Sequence, residues 1–240
     1  ATLTTEQARG DKTDAIVHQW QFDNGHFKNG AFLPQAGTLK SEVVGPLQFA
    51  EPSPRAVMLD GNSKAGHRIR VKDRLAADEL PSQAVSVEAW ALVDRPEKWG
   101  GIVSALQDNG DFERGWILGY HETQFYFGLA SDTRKRFTFL NSTRLFQTGY
   151  WYHVVGTYDG TTQRIYLDGR LQGESTDQNG KILYAPETFF SIGAYKDDNE
   201  IYSMAGQVEQ VSIWNRALAA SEVRARFEQR KSRFPGIDPV

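Results

Sequence analysis

Bulky apolar or β-branched residues alternate with polar ones along much of the chain, most clearly from Trp151 to Thr176. Two Asp-Gly pairs, Asp159-Gly160 and Asp168-Gly169, interrupt this stretch. Asp-Gly adopts positive φ at low cost and therefore closes tight turns between antiparallel strands. The pattern predicts a three-stranded meander with strands at residues 151–158, 164–167 and 170–175.

The same kind of pattern predicts a series of further strands. The stretch from Val85 to Val93 is predicted to be the central one, because valine and alanine fill one of its faces. Other strands are predicted at residues 16–22, 56–59, 68–71, 101–106, 116–120, 124–129, 137–140, 189–194 and 206–214. One short helix is predicted near the end, with Ser221 as N-cap and Val223 and Phe227 on one face. Recurrent turns without βαβ alternation indicate an all-β antiparallel sandwich.

One structural domain is expected, spanning residues 15–228. Residues 1–14 are polar and are predicted to form a flexible lead or linker. Residues 229–240 carry two prolines and are predicted to form a C-terminal linker.

Charge and composition narrow the range of functions. The 240 residues include 27 Lys and Arg against 30 Asp and Glu, so a nucleic-acid or anionic-membrane surface, which needs a basic excess, is not expected. No cysteine is present, which excludes disulfides, thiolate metal sites and a cysteine nucleophile. The lack of disulfides leans towards a bacterial origin.

The apolar runs and the N-terminal residues bear on the cellular location. No apolar run reaches membrane-spanning length, and the polar N-terminus has no apolar signal core. The chain is therefore expected to be cytoplasmic, or a processed or excised piece of a larger exported protein. We favour the second, with an extracellular, periplasmic or cell-surface location.

Several motifs of one known family occur along the chain in order. They are HQWQFD (18–23), VMLDG (57–61), VSVEAW (85–90), WYHVVGTYDG (151–160), IYLDG (165–169) and GQVEQVSIWNRALAASEV (206–223). Together they resemble the laminin-G-like, concanavalin A-like jelly-roll domains. The resemblance covers roughly residues 15–228 and implies a two-sheet jelly-roll sandwich with one short C-terminal helix.

The resemblance fixes a fold more closely than a function. Domains of this family include lectin-like modules, adhesion modules, and some glycosidases and lyases. The family often has an aspartate in its last strand, where this chain has Glu209. That departure puts in doubt any metal role carried over to this position.

A catalytic site is not expected from the motifs present. Retaining glycosidases of this fold carry paired carboxylates as Glu-x-Asp-x-x-Glu on one strand, and the chain lacks that motif. Glu88 and Glu209 are lone acids on their predicted strands, and no histidine has metal-ligand spacing. The alternative is an enzyme whose groups come from separate strands, with Glu88, Glu209, His121 and Tyr120 as candidates.

Two acidic stretches could bind calcium, which prefers carboxylate and amide oxygens on bent loops. One is the predicted loop at residues 107–114, and the other is residues 196–200. The proposed ligands are Asp108, Asp111, Asp197, Asp198 and Asn199. Asp23 and Glu209 are a second possible pair. The alternative is that both stretches are solvated acidic turns.

Aromatic side chains in loops or on an exposed sheet face are candidate sugar platforms, because a sugar ring presents apolar C–H faces. Trp99, Tyr195 and Tyr202 are predicted to be such platforms, and the two tyrosines bracket the acidic stretch 196–200. Trp116 and Tyr120 share one face of a predicted strand and are expected to line a concave sheet. Arg114 is a candidate for sulfate or carboxylate groups.

These observations favour a non-catalytic carbohydrate-binding or accessory module that binds a polysaccharide or glycan. It would be linked to a catalytic or surface domain of a larger protein, with calcium as a possible structural cofactor. A glycosidase or polysaccharide lyase of the same fold and a protein–protein adhesion module are the alternatives.

Overall fold

The structure, a computed structural model, describes residues 16–51 and 56–237, so the predicted lead at residues 1–14 lies outside the described residues. The strands are β1 (Ile16–Gln21), β2 (Phe27–Lys28), β3 (Ala31–Phe32), β4 (Ser41–Val44), β5 (Gln48–Phe49), β6 (Val57–Asp60), β7 (Arg68–Ala76), β8 (Val85–Arg95), β9 (Trp99–Asn109), β10 (Phe112–His121), β11 (Gln124–Ala130), β12 (Phe137–Leu145), β13 (Trp151–Tyr158), β14 (Gln163–Leu167), β15 (Arg170–Ser175), β16 (Glu187–Ile192), β17 (Ala194–Lys196), β18 (Ile201–Ser203) and β19 (Ala205–Trp214). The helix α1 spans Ala220–Arg230.

The strands form two large antiparallel sheets. Sheet A has the order β15-β14-β13-β8-β19-β6-β5, with β1 paired to β19, and sheet B has the order β12-β11-β10-β9-β16-β7-β4-β3-β2. The hairpin β17–β18 is separate from both. The predicted all-β, jelly-roll-like sandwich with one short helix is confirmed.

The core lies between the sheets and follows the two-residue period of the strands. In β8, Val85, Val87, Ala89, Ala91 and Val93 all belong to this core, as their shared face predicted. The strand lies between β13 and β19 in the middle of sheet A, which confirms its central position.

The opposite face of sheet A is covered by the C-terminal segment. Residues 229–237, predicted to be a linker, instead belong to the domain. The ring of Phe234 stacks on that of Trp90 with centroids 3.9 Å apart, and its side chain is only 4% exposed. The backbone N–H of Trp151 donates to the carbonyl of Gly236 at 3.1 Å. The chain therefore stays on the sheet after the helix ends at Arg230.

The helix itself starts earlier than predicted. Its N-cap is Ala219 and not Ser221, and the carboxylate of Glu222 accepts the backbone N–H of Ala219 at 2.7 Å. Among the described residues, no helix is long and apolar enough to cross a membrane.

Replacing Phe234 by Ala is expected to lower the free energy of unfolding by about 2 kcal/mol, because a buried aromatic side chain is lost from the face of Trp90. Equilibrium unfolding in urea measures this change. Leu171→Ala is the control, since Leu171 is 50% exposed on β15 and its truncation is expected to change stability by no more than about 0.5 kcal/mol. Equal stability of the Phe234→Ala variant and the unmodified protein would show that the tail is only loosely attached.

Candidate functional site

A cleft of about 260 Å³ opens on the outer face of sheet B, beside the hairpin β17–β18. Five aromatic and two acidic side chains line it. They are Trp99, Tyr126, Phe139, Tyr195, Tyr202, Asp108 and Glu200. We call this feature the aromatic cleft.

Strand alternation explains how the aromatic rings reach this face. In β11, Phe125 and Phe127 point into the core between the sheets, and Tyr126 between them points outward. Phe139 extends from the neighbouring strand β12 and is 43% exposed. Strands β11 and β12 therefore supply the floor of the aromatic cleft.

The rings pack against one another, and these contacts fix the shape of the aromatic cleft. The centroid of Trp99 lies 5.9 Å from that of Tyr126 and 6.0 Å from that of Phe139. The imidazole of His121 supports Trp99, with ring centroids 4.1 Å apart. Rings fixed by their neighbours lose little conformational entropy when a ligand stacks on them.

The opposite wall is formed by the hairpin β17–β18. Tyr195 and Tyr202 are paired across this hairpin, and their ring centroids are 5.4 Å apart. Tyr195 is only 9% exposed, whereas Tyr202 is half-buried. The hairpin thus presents one largely fixed ring and one more accessible ring to the aromatic cleft.

Carboxylates lie at the hydroxyl ends of the two tyrosines. The hydroxyl of Tyr195 lies 3.0 Å from Oδ2 of Asp108 and 3.0 Å from Oδ2 of Asp197. The hydroxyl of Tyr202 donates to Oε2 of Glu200 at 3.1 Å. Burial raises the pKa of Asp108 above its usual range, and the charges of Glu113, Asp197 and Glu200 raise it further.

The hydroxyl of Tyr126 has no hydrogen-bond partner among the described residues, although the side chain is only 1% exposed. Burial, together with the neighbouring Tyr120 and Asp108, raises the pKa of Tyr126, so the phenol stays protonated. It is therefore an unpaired polar group at the aromatic cleft to which a ligand can form a hydrogen bond.

The structure brings together four of the residues singled out in the sequence: Trp99, Tyr195, Tyr202 and Asp108. Arg114 lies elsewhere. Its guanidinium covers the ring of Phe112 at 4.3 Å and donates to the carbonyls of Glu113 and Lys135.

Trp116 and Tyr120 do share a face of β10, but the prediction that they line an open surface is wrong. Both are fully buried in the core between the sheets. The indole N–H of Trp116 donates to the hydroxyl of Tyr184 at 2.8 Å. The outward positions of β10 are instead Ile117 and His121.

Residues 107–114 form no separate acidic loop, because β9 continues to Asn109 and β10 begins at Phe112. The end of β9 nevertheless lies beside the second acidic stretch, since Nδ2 of Asn109 donates to Oδ1 of Asp198 at 2.7 Å. The two candidate calcium stretches are therefore neighbours.

The candidate calcium ligands have other partners. Oδ1 of Asp197 accepts the backbone N–H groups of Asn199 and Glu200, and its Oδ2 faces Tyr195. Asp111 is 98% exposed and pairs with Arg136 at 2.8 Å. Within residues 16–51 and 56–237, no group of three or more acidic or histidine side chains is placed to hold a metal ion. Calcium binding stays a prediction.

Glu88 lies on the opposite side of the domain, beneath α1, and is fully buried. It accepts from Nε2 of His153 at 2.7 Å and from two nitrogens of Arg226 at 2.8 Å each. These bonds outweigh the cost of burial and hold the pKa of Glu88 at about 2. The group is a closed network under a helix, away from the aromatic cleft.

Glu209 is held in the same way. It is fully buried and accepts from Arg230 at 2.7 Å and from Arg233 at 3.2 Å. Strands β1 and β19 are neighbours as expected, but Asp23 faces Nδ1 of His26 at 2.7 Å. The enzyme candidates thus do not converge, since Glu88 and Glu209 lie under α1, Tyr120 is in the core and His121 is beside Trp99.

Sequence reasoning missed Tyr126 and Phe139 as residues of the site. Both lay within predicted strands, at 124–129 and 137–140, where an aromatic residue is equally typical of the core. The one signal available was that Tyr126 alternates with Phe125 and Phe127, so one set had to face outward.

Comparisons with known sequences agree with this architecture. The family model of the concanavalin A-like lectin/glucanases superfamily matches residues 65–224, which is more than half of the chain. Pappalysin-1 of Mus musculus is 26% identical over 198 residues, 77% of this chain. Pappalysin-1 of Homo sapiens is 25% identical over 198 residues, 78% of this chain. The chain spans only 12% of the length of each of these relatives.

Solved structures share the fold at low sequence identity. Domain 4 of AbnA, a GH43 extracellular arabinanase from Geobacillus stearothermophilus solved with arabinotriose, has a TM-score of 0.66 and 18% identity, covering 88% of this chain and 97% of that one. The botulinum neurotoxin serotype G binding domain has a TM-score of 0.65 and 13% identity, covering 90% and 51%. Trypanosoma rangeli sialidase has a TM-score of 0.65 and 16% identity, covering 91% and 33%.

Likeness at these identities shows the fold alone, and the family follows from the matched sequence model. The chain therefore belongs to the concanavalin A-like lectin/glucanase superfamily, as its resemblance to laminin-G-like domains predicted.

Proposed function

We propose that the chain is a non-catalytic carbohydrate-binding module and that the aromatic cleft is its binding site. The observation that carries this proposal is the convergence of Trp99, Tyr126 and Tyr202 with the carboxylates of Asp108 and Glu200. Aromatic faces suit the C–H faces of a sugar ring, and carboxylates accept hydrogen bonds from its hydroxyl groups.

The surface around the aromatic cleft favours a ligand longer than one sugar unit. A second cavity shares Trp99 and Tyr202 with it and is also lined by Asn62, Lys64 and Lys98. A third cavity includes Gln107 and Asp198, the chain neighbours of Asp108 and Asp197. A glycan chain lying across the aromatic cleft can place its next units in these cavities.

Structural neighbours support the same class of ligand. Domain 4 of AbnA was solved with arabinotriose, and the binding domain of botulinum neurotoxin DC was solved with SialylT. We place the chain in a larger exported protein, with an extracellular, periplasmic or cell-surface location, which agrees with the extracellular arabinanase. The two curated relatives are mammalian, so a bacterial origin stays a prediction.

Replacing Trp99 by Ala is expected to weaken glycan binding at least about tenfold, because truncating a central aromatic anchor removes most of its contact area. A glycan array identifies the polysaccharide that the unmodified domain retains, and affinity electrophoresis then compares the variants. Leu171→Ala, an exposed apolar residue on β15 of the other sheet, is the matched control.

Far-ultraviolet circular dichroism and the melting temperature establish that the Trp99→Ala variant is folded. Undiminished retention of the glycan by folded Trp99→Ala protein would place the binding site elsewhere. Retention of no glycan by the unmodified domain would contradict the proposed function itself.

A further inference from the structure

The carboxylates at the aromatic cleft form no ion pair with another described residue. Among the described residues, no Lys, Arg or His nitrogen lies within 4.0 Å of Asp108, Asp197 or Glu200. Other acids of the domain are paired, for example Glu79 with Lys72 at 2.8 Å and Glu174 with Arg164 at 2.5 Å. Within the described residues, Asp108 and Glu200 therefore line the aromatic cleft without an ion-pair partner, and Lys196 acts on the neighbouring Asp197 only beyond ion-pair distance.

Internal hydrogen bonds satisfy only part of this charge, since Asp197 accepts two backbone N–H groups and Glu200 accepts the hydroxyl of Tyr202. The single hydroxyl hydrogen of Tyr195 can be donated to Asp108 or to Asp197 but not to both at once. Burial raises the pKa of Asp197 as it does that of Asp108, and the charge of Glu200 adds to both. Burial is the larger cause of both raised pKa values and charge repulsion adds to it, and a cation bound near these oxygens would offset both effects.

The walls suit an organic cation. The rings of Trp99, Tyr126 and Tyr202 present π faces that attract a positive charge when it is removed from water. The hydroxyl of Tyr126 has no hydrogen-bond partner among the described residues and is available as a further hydrogen-bond acceptor. An ammonium group has three N–H donors, which matches the hydroxyl and the carboxylates of Asp108 and Glu200.

We propose that the sugar unit bound in the aromatic cleft carries a free, positively charged amino group, so that the ligand is a glycan containing an unacetylated amino sugar. This inference rests on the proposed function and narrows it to a substrate class. An N-acetylated sugar lacks the charge and two of the N–H donors, and a neutral sugar leaves the carboxylates without a counter-charge.

The preference for a cation is confined to one unit of the glycan. Lys64 and Lys98 line the adjoining cavity, and neither forms an ion pair within the described part of the chain. Two lysines beside Glu97 repel a second ammonium group there. Short probes, in which a single amino sugar can occupy the aromatic cleft, therefore test the inference better than a fully deacetylated polymer does.

The experiment compares disaccharides of glucosamine and of galactosamine with their N-acetylated counterparts by isothermal titration calorimetry, with and without calcium. At about pH 6.5 the free amines are expected to bind at least about tenfold more tightly than the acetylated sugars. Raising the pH to about 9 deprotonates the sugar amines and is expected to remove this difference.

Two conservative variants connect the preference to the aromatic cleft. Asp108→Asn and Glu200→Gln are each expected to reduce the ratio of amine to acetylated affinity at least about threefold, while leaving binding of the acetylated sugars measurable. Glu228→Gln is the control, because Glu228 lies on α1 and pairs there with Lys231.

The outcomes separate this inference from the proposed function. Equal or tighter binding of the acetylated sugars overturns the inference and leaves a carbohydrate-binding module in place. Binding that appears only with calcium identifies the acids as metal ligands and also overturns it. If neither the free amines nor the acetylated sugars bind, the inference is also overturned. If the glycan array in addition shows no retained glycan, the proposed function is contradicted as well.

Discussion

Replacing Glu88 by Gln is expected to lower the free energy of unfolding by about 3 kcal/mol at neutral pH. Glu88 is fully buried, and its two oxygens accept from His153 and Arg226. A neutral amide cannot accept all of these bonds, and it removes the negative charge that faces the guanidinium of Arg226. Breaking one side of a buried ion pair costs more than the pair contributes when intact.

The pH dependence identifies the carboxylate as the source of this stability. The folded-state pKa of Glu88 is about 2, below its usual value of 4.5. A lowered carboxyl pKa stabilises the folded state fully above the unfolded pKa, and this contribution is lost as the pH falls. The difference between the unmodified protein and Glu88→Gln should therefore shrink between about pH 4.5 and about pH 2.

Urea unfolding followed by tryptophan fluorescence at several pH values measures this difference directly. The comparison between two proteins cancels the titration of other buried acids, such as Glu209, whose pKa burial raises. Glu174→Gln is the control, because Glu174 forms an exposed pair with Arg164 that is expected to contribute less than about 1 kcal/mol. A difference that stays constant or grows in acid would mean that Glu88 is neutral in the folded domain.

The strands that were predicted most accurately are those set by local turn chemistry. The meander of β13, β14 and β15 was predicted to within one residue, because Asp168 and Gly169 both adopt positive φ, at 50° and 75°.

Which face of a strand points into the core was harder to predict. In β10, Trp116 and Tyr120 alternate with Ile117 and His121, and only the position of the second sheet decides which set is buried.

The tail could not be predicted for a similar reason. Its prolines and polar residues are typical of a linker, and nothing local indicates that Phe234 is buried. The reason for its burial lies in sheet A, where Trp90 and Trp151 form an apolar surface on the face away from the core. An apolar sheet face has to be covered, and the C-terminal segment is the part of the chain that covers it.

The aromatic cleft was predicted by residue type but not as a single site. Trp99 and Asp108 lie at opposite ends of β9, and Tyr195 follows almost ninety residues later. Aromatic and acidic residues in non-core positions were sufficient to select these candidates. Their convergence depends on the hairpin β17–β18 lying over β9, which is a long-range contact that no local pattern encodes.

Replacing Gly101 by Ala is expected to abolish glycan binding and to lower the free energy of unfolding by at least about 3 kcal/mol. Gly101 lies in β9 where β17 crosses it. A Cβ atom at this position would overlap the backbone nitrogen of Tyr195 and the backbone carbonyl of Ala194. Backbone atoms cannot rotate away as a side chain can, so the added methyl group must displace β17.

Displacing β17 affects the site more than removing one ring does. Tyr195 and Tyr202 both lie on this hairpin, and the hydroxyl of Tyr195 lies 3.0 Å from a carboxylate oxygen of Asp108 and of Asp197. The Gly101→Ala variant should therefore lose more glycan affinity than Trp99→Ala, as measured by the same affinity electrophoresis. Gly25→Ala is the matched control, because its added methyl meets only a carboxylate oxygen of Asp23 at 3.1 Å.

A variant that merely unfolded would give no information about the site, so Tyr195→Phe provides an independent measurement. It retains the ring and the position of β17, and removes only the hydroxyl group between Asp108 and Asp197. If the hairpin positions the aromatic cleft, Tyr195→Phe should remain folded and keep most of its glycan affinity. Normal binding and stability in the Gly101→Ala variant would show that the hairpin is not fixed on β9, and that the aromatic cleft does not depend on it.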